Sequence, residues 1–225
     1  MTERCVLITG AGGALGQGVT RAMLAAGHAV VGVDRVRLDL PDAGERLEAL
    51  EGDALSPEFM ESAVQRAQER FGELNALIHL AGTYAYATLA DTDLELWHRL
   101  LNANFTSAYV AARAALPALQ ASRGSMVFVG AQAAIAAPAK QSAYNASKAG
   151  LMTFMRTLSQ ELRPDGIRVN CIVPDIIDTP ANRKNMSNAD TSRWLTVDQV
   201  TDVLLYLLSD GALGITGAAI TLQRS

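Results

Sequence analysis

The chain has 225 residues, 49% of them hydrophobic, and a formal net charge of −4. This length suits one α/β domain with a substantial core and is short for two, so we expect a single domain over residues 1–225. Lys and Arg are scattered along the sequence. Without a basic stripe, no nucleic-acid partner is expected.

Neither membrane insertion nor secretion is expected. No apolar run reaches the ~18 residues that a membrane helix needs, and the opening MTERCVLITG is typical of a first strand rather than a signal peptide. Cys5 and Cys171 each lie in an apolar run, which favours buried, reduced thiols over a disulfide. These features predict a soluble, cytoplasmic protein. No group of His, Cys, Asp and Glu has the spacing of metal ligands, so no metal site is predicted.

Short apolar runs alternate with longer segments of helical period along the whole chain. The strand candidates are residues 5–9, 29–33, 76–81, 125–130, 168–173 and 218–222, with a weaker one at 47–52. The helix candidates are residues 14–26, 57–71, 94–120, 142–163 and 197–208. Strands that alternate with helices form βαβ units. The pattern predicts an α/β fold with a Rossmann-type, doubly wound, mostly parallel sheet of about seven strands and helices on both faces.

Two segments interrupt this alternation. Between Asp34 and Leu47 the chain contains Pro41 and Gly44, so any helix there has at most two turns. Residues 175–195 are polar and show little periodicity. A loop of this length inside a compact domain is usually a functional lid or a disordered segment. We interpret it as a substrate loop or lid.

A glycine-rich segment, TGAGGALGQG, follows the first strand and leads into the first helix. Without Cβ atoms at Gly10, Gly12, Gly13 and Gly16, backbone N–H groups can approach a pyrophosphate, and the helix directs its positive end to the same place. A glycine cluster alone is a weak signal, but a strand before it and a helix after it are the context that a dinucleotide site requires.

Asp34 ends the second strand, where an acid can accept hydrogen bonds from both ribose hydroxyls of NAD and repel a 2′-phosphate. The alternative is that Asp34 only caps a turn. The combination of strand, glycines, helix and acid favours a dinucleotide site that prefers NAD. NADP is possible, because Arg35 and Arg37 follow closely.

Seven motifs occur in the order and at the spacing of the short-chain dehydrogenase/reductase family, which the chain resembles from Val6 to about Leu222. They are TGAGGALG at 9–16, GDAL at 52–55, LAG at 80–82, NANF at 102–105, YNASK at 144–148, RVN at 168–170 and ITG at 215–217.

The resemblance implies a role for each matching residue. Tyr144 would be the acid–base group that gives a proton to a carbonyl oxygen or takes one from an alcohol. Lys148, one helical turn later, would bind the nicotinamide ribose and lower the pKa of the phenol. Asn104 would hold a water that links this lysine to solvent. The further cofactor contacts that the resemblance implies are Ala14, Leu15, Asp53, Ala54, Ala81, Gly82, Pro174, Ile177 and Thr179.

One expected group is missing. The family usually places a serine thirteen positions before the tyrosine, where its hydroxyl stabilises the substrate oxygen, but this chain has Ala131. One interpretation is that the substrate needs only the tyrosine, as in the similar dihydropteridine reductases. A second is that Gln132 or a residue of 175–195 replaces the serine. A third is that catalysis is lost, leaving a dinucleotide-binding sensor or scaffold. Because the other three catalytic residues are present, we favour an active enzyme.

Two smaller departures are His79, expected to pack or hydrogen-bond locally, and Asp175, where the family has glycine. The resemblance implies an NAD(P)-dependent oxidoreductase acting on a small carbonyl, alcohol or quinonoid substrate. It also implies a homodimer or homotetramer. The predicted substrate pocket includes Ala131, Gln132, Gln141 and Trp194.

Overall fold

In the computed structural model, which describes residues 3–224 apart from the side chains of Pro41 and Asp42, seven strands form one sheet. The strand order is β3-β2-β1-β4-β5-β6-β7, and every neighbouring pair is parallel. This confirms the predicted Rossmann-type, doubly wound fold. The strands are β1 (Cys5–Thr9), β2 (Ala29–Asp34), β3 (Leu47–Glu51), β4 (Ala76–His79), β5 (Ser125–Val129), β6 (Arg168–Pro174) and β7 (Ala219–Leu222).

The central strands coincide with apolar runs because they are covered on both faces. Every residue of β1, β4, β5 and β6 is buried. Side chains alternate between the two faces of a strand, so Leu7 joins the core on one face and Ile8 joins the core on the other. The edge strand β3 is only partly buried, which explains its weaker apolar pattern.

Helices cover both faces of the sheet. One face carries α2, α4 and α6, whose apolar residues share a core with Leu7, while α1 and α8 share the other core with Ile8. Within the described residues no helix is long and apolar enough to cross a membrane. The helices are α1 (Ala14–Ala25), α2 (Pro57–Phe71), α3 (Leu94–Leu101), α4 (Ser107–Ser122), α5 (Gln132–Ala136), α6 (Ser142–Glu161), α7 (Pro180–Asn185) and α8 (Val197–Leu208), with short 3₁₀ helices at Pro41–Arg46 and Asp210–Ala212.

The structure differs from the sequence-based prediction in three helical regions. The helix predicted at 94–120 is divided into α3 and α4 by a π-helical turn, Asn102–Thr106. The short helix α5 was not predicted, and α7 lies inside the segment expected to be a loop. Both have six residues or fewer, too few to show a helical period in the sequence.

The carboxyl ends of the parallel strands lie at one edge of the sheet. The glycine loop follows β1, Asp34 ends β2, and Ala81 and Gly82 follow β4. The strand order reverses between β1 and β4, since β1 connects to β2 on one side and pairs with β4 on the other. Such a switch point opens a crevice at the carboxyl edge, where ligands of this fold bind.

Candidate active site

The loop after β1 turns back sharply to start α1. Gly10 has φ +73°, in the left-handed region, and a Cβ there would lie 2.7 Å from the backbone nitrogen of Ala81. A Cβ on Gly16 would overlap the carbonyl oxygen of Gly10. Helix α1 has no side-chain cap, and the N–H groups of Ala14, Leu15 and Gly16 have no acceptor in the described part of the chain. They form an uncapped helix N-terminus of the kind that binds phosphate groups.

Asp34 holds this loop in place. Its Oδ2 accepts a hydrogen bond from the N–H of Gly12 at 2.9 Å, and its Oδ1 accepts one from the N–H of Val36 at 3.1 Å. Asp34 therefore does cap a turn, as the alternative interpretation held. Each carboxylate oxygen can accept more than one hydrogen bond, so this role leaves capacity for ribose hydroxyls.

A first cavity, of about 180 Å³, lies between the glycine loop and the end of β4. Arg35 also lines it, so the arginine that kept NADP possible is close to Asp34. Ser107 lines it too and was not anticipated from the sequence. The predicted cofactor residues that line this cavity are Gly10, Gly13, Asp34, Asp53, Ala54, Ala81 and Gly82.

His79 links Thr9, at the end of β1, to Ser107, which lines this cavity. The hydroxyl of Thr9 hydrogen-bonds His79 Nδ1 at 2.8 Å, and Ser107 Oγ lies 3.2 Å from Nε2. Because Ser107 donates its own hydroxyl proton to the carbonyl oxygen of Ala103 at 2.8 Å, Nε2 is the protonated nitrogen. Burial, and secondarily the charge of Lys148, lower the pKa of His79 to about 3. The expected local role is found, with a neutral imidazole.

Asn104 lies in the π-helical turn and is fully buried. Its Oδ1 accepts from the N–H of Thr83 at 2.8 Å, and its Nδ2 donates to the carbonyl oxygen of Thr83 at 3.0 Å and to Ser147 Oγ at 3.0 Å. Ser147 in turn donates to the carbonyl oxygen of Tyr144 at 2.7 Å. Asn104 therefore fixes the segment after β4 to the helix that carries Tyr144.

Tyr144 and Lys148 lie one turn apart on α6 and line the same cavity, as predicted. The ammonium of Lys148 is buried and donates to the carbonyl oxygen of Val129 at 2.8 Å. The ring of Tyr144 packs edge-on against that of Tyr84, with centroids 5.0 Å apart. These contacts hold both groups at the carboxyl edge of the sheet.

The predicted effect of Lys148 on Tyr144 is corrected by the structure. Burial, and secondarily the neighbouring Tyr84, raise the pKa of Tyr144 to about 12. Burial also lowers the pKa of Lys148 to about 8. Desolvation disfavours the charged form of each group. The charge of Lys148, which the four-residue spacing suggested would lower the pKa of the phenol, is not among the causes of its shift. Tyr144 is therefore a neutral phenol at pH 7.

A second cavity, of about 540 Å³, surrounds Tyr144 and Lys148. It shares Leu80 and Gly82 with the first cavity, so the two form a continuous crevice. Three residues assigned to the substrate pocket from sequence, Ala131, Gln132 and Gln141, line it together with Pro174 and Ile177.

Six residues assigned to the site from sequence line neither cavity. Four of them belong to the glycine loop and the start of α1, namely Gly12, Ala14, Leu15 and Gly16, and the other two are Trp194 and Thr179. The side chain of Trp194 is not among the residues lining the crevice; only 4% of Trp194 is exposed, and its carbonyl oxygen accepts from Arg224 at 3.2 Å. Thr179 caps α7, its hydroxyl accepting from the N–H of Asn182 at 3.2 Å. Conversely, Thr83 lines the second cavity and was not predicted. Its position directly after the LAG motif was the available signal.

The segment 175–195 is anchored at its base. The N–H of Asp175 donates to the carbonyl oxygen of Leu222 at 2.9 Å, and the N–H of Leu195 donates to that of Ile176 at 2.8 Å. Beyond this base, Asn182 and Met186 reach the wall of the second cavity. The segment therefore covers one side of the cavity, as a substrate loop would.

Comparison with known proteins identifies the family. A family model described as short chain dehydrogenase matches residues 4–190. The chain belongs to the short-chain dehydrogenase family. It is 26% identical to the trans-4-hydroxycyclohexanecarboxylate dehydrogenase of Sinomonas cyclohexanicum over 99% of this chain and 92% of that one. It is 27% identical to the L-rhamnose 1-dehydrogenase (NAD(P)(+)) of Azotobacter vinelandii, over 98% and 95%.

Solved structures agree with this assignment. A short-chain dehydrogenase/reductase from Burkholderia thailandensis superposes with a TM-score of 0.87 at 32% identity, covering 99% of this chain and 92% of that one. As a short-chain dehydrogenase, the chain is an oxidoreductase that uses a nicotinamide cofactor. Within the described residues no group of three or more His, Cys, Asp or Glu can hold a metal ion.

Proposed function

We propose that this short-chain dehydrogenase catalyses hydride transfer between NAD and a small carbonyl, alcohol or quinonoid substrate, with Tyr144 as the acid–base group. The observation that carries the proposal is the continuous crevice. Asp34 lines one end of it, Tyr144 and Lys148 line the other, and Gly82 is common to both. Asp34 would accept hydrogen bonds from the ribose hydroxyls of a dinucleotide bound in this crevice, and Tyr144 and Lys148 would line the part of the crevice that holds the nicotinamide.

The residues fit such a cofactor. The uncapped N-terminus of α1 offers the N–H groups of Ala14, Leu15 and Gly16 to the pyrophosphate. The lack of a side chain at Gly82 keeps the middle of the crevice open, since a Cβ there would lie 2.8 Å from Asn104 Oδ1 and 3.5 Å from Lys148 Nζ. The bound nicotinamide would supply or accept the hydride.

Tyr144 handles the proton. During reduction its phenol donates a proton to the carbonyl oxygen while the carbonyl carbon receives the hydride, and the product is an alcohol. Oxidation is the reverse and requires the phenolate. Because burial holds the pKa of Tyr144 near 12, the proton donor is the dominant form at neutral pH. This favours reduction at pH 7 and oxidation at higher pH.

Asp34 supports NAD over NADP, because its carboxylate would repel a 2′-phosphate. Arg35 lines the same cavity, and its positive charge weakens the discrimination against the 2′-phosphate of NADP. The relative from Azotobacter vinelandii carries both cofactors in its name. We propose NAD as the preferred cofactor, with NADP used less efficiently.

A second candidate is a non-catalytic dinucleotide-binding sensor, and one observation favours it. Ala131 lines the second cavity where a serine hydroxyl would assist the substrate oxygen. Losing one such donor typically costs about 3–4 kcal/mol of transition-state stabilisation. The retained Tyr144, Lys148 and Asn104 favour the enzyme, because a sensor needs no proton donor.

The test is a pH profile in both directions, followed by nicotinamide absorbance over a panel of ketones, quinonoid compounds and alcohols. Oxidation kcat/KM should rise about tenfold per pH unit between pH 7 and 9, as the phenolate fraction rises. Tyr144→Phe should lose turnover by about 10³-fold or more and keep its NADH affinity, whereas Tyr206→Phe, which changes an exposed residue on α8 that lines neither cavity, should change neither. Tight NADH binding with no turnover anywhere would establish the sensor instead.

We also propose a homodimer or homotetramer. Helices α4 and α6 carry partly exposed aromatic residues side by side, with the rings of Tyr109 and Phe154 6.3 Å apart. Tyr109 is 52% exposed. An apolar surface of this kind is typical of an interface. Light scattering during gel filtration tests it, and a monomer at micromolar concentration would contradict it.

A further inference from the structure

Within the described part of the chain, the substrate end of the crevice is lined by only one basic and one acidic residue. Among the residues that line the second cavity, Lys148 is the basic residue and Asp175 is the acidic one. The lining contains two further titratable groups, the phenols of Tyr84 and Tyr144, and burial raises the pKa of each, so both are neutral. Arg and His are absent from the lining. The charge that a substrate meets is set by two residues.

Lys148 is not available to hold a substrate anion. Its ammonium is buried and already donates to the carbonyl oxygen of Val129 at 2.8 Å. It faces Gly82 and Asn104, at the junction with the cofactor cavity. The ammonium of Lys148 therefore lies where the two cavities join, and a bound cofactor would contact it there.

Asp175 is exposed and carries a charge that nothing on the protein neutralises. Within residues 3–224 it forms no ion pair and accepts no hydrogen bond from a side chain. Its own backbone is fixed by the bond from its N–H to Leu222, so the carboxylate stays at the cavity. The nearby lid cation, Arg183, is paired with Asp178 at 2.5 Å and does not line the cavity.

We propose that Asp175 is a specificity-determining residue that restricts the substrate to neutral or positively charged carbonyl and alcohol compounds and excludes carboxylates and phosphates. The inference rests on the proposed function. An anion entering the cavity meets an unpaired carboxylate and finds no free cation, while a protonated amine finds a partner. The rest of the lining supplies the apolar contacts and the amide groups of Gln132, Gln141 and Asn182, which suit uncharged substrates.

The size of the effect follows from Coulomb's law. A substrate charge about 7 Å from Asp175, at an effective dielectric constant of about 40, changes kcat/KM by roughly sevenfold per unit charge. An anion is therefore disfavoured about sevenfold and a cation favoured about sevenfold, relative to a neutral compound of the same shape. Added salt should reduce both ratios, because Asp175 is exposed.

The experiment uses three cyclohexanones that differ only in the group at position 4: methyl, carboxylate and aminomethyl. kcat/KM with NADH is measured for wild type, Asp175→Asn and the control Asp202→Asn, which removes an exposed carboxylate on α8 outside the crevice. We expect the order aminomethyl, methyl, carboxylate in wild type and in Asp202→Asn, and nearly equal values in Asp175→Asn.

Other outcomes separate the two proposals. Turnover of the methyl compound with no discrimination by charge, or discrimination unchanged in Asp175→Asn, overturns the role of Asp175 and leaves the proposed function intact. Failure to turn over all three compounds, together with no turnover over the panel of ketones, quinonoid compounds and alcohols, counts against the function. The shift in Tm that each compound causes in the NADH-bound proteins then decides the role of Asp175, because binding alone should show the same charge order.

Discussion

Folding of this chain should become less favourable in mild acid because of one buried histidine. His79 is 1% exposed, and burial lowers its pKa to about 3, whereas a histidine in an unfolded chain has a pKa of about 6.5. Between these values the unfolded chain binds a proton that the folded chain does not. The free energy of unfolding therefore falls as pH falls below 6.5, by up to about 1.4 kcal/mol per pH unit. At pH 5 the loss amounts to about 2 kcal/mol.

The substitution His79→Asn isolates this contribution. Asparagine can still accept the hydrogen bond from Thr9, but it is too short to hold Ser107 and does not titrate. At pH 7 the variant should be less stable by about 1–3 kcal/mol, because the buried Oγ of Ser107 loses the hydrogen bond that Nε2 of His79 donates to it. Between pH 7 and pH 5, however, it should lose about 2 kcal/mol less stability than the wild type.

The assay is urea unfolding at pH 7, 6 and 5 at constant ionic strength. His98→Asn is the matched control, since His98 is exposed on α3 and should leave the pH dependence unchanged. His28, whose pKa is also lowered by burial, is present in all three proteins and cancels in the comparison. A wild-type pH slope in His79→Asn would refute the reasoning, because it would mean that His79 binds a proton in the folded state.

Three other substitutions test the crevice. Asp34→Asn should lower NADH affinity about tenfold and bring the Kd values for NADH and NADPH closer together. The ribose loses an anionic acceptor and the 2′-phosphate loses a repelling charge. An unchanged ratio of the two Kd values would contradict the NAD preference. Gly16→Ala should abolish nucleotide binding and lower Tm, because its Cβ overlaps Gly10, while Gly214→Ala, which has open space around it, should change neither. Ala131→Ser should raise kcat/KM for simple ketones about tenfold or more by adding a second donor to the oxyanion, with little change for quinonoid substrates. No gain with any ketone would indicate that the surrounding geometry no longer allows a hydroxyl at this position to reach the substrate oxygen.

The sequence predicted the sheet well because its strands are short apolar runs covered on both faces. β1 and α2 match the predicted bounds, and the predicted strand at 76–81 is only two residues too long. The sequence did not reveal the π-helical turn, because an extra residue in one helical turn barely disturbs the apolar period between 94 and 120. Yet this turn is what brings Asn104 into the buried site.

Some features of the site could likewise be predicted from the sequence, and others could not. Glycines and acids at strand ends were predictable, since their roles depend on backbone position. The pKa of Tyr144 was not, because the sequence displays the charged neighbour at Lys148 but hides the burial that dominates both groups. Trp194 lies outside both cavities for a related reason. An aromatic residue in a polar segment suggested a ligand contact, whereas the fold buries it at the base of the loop.

The position of β1 beside β4 has a consequence for how the protein folds. Thr9 pairs with His79, so the contact that creates the crevice joins parts of the chain that are far apart in sequence. Closing such a loop is slow, because the chain loses conformational entropy before packing contacts can stabilise the pairing. The crevice cannot exist in a folding chain until this pairing has formed, so nucleotide binding should appear late, together with the native state. A bound dinucleotide then holds the two halves of the sheet together, and it should stabilise the whole domain against unfolding in proportion to the logarithm of its concentration.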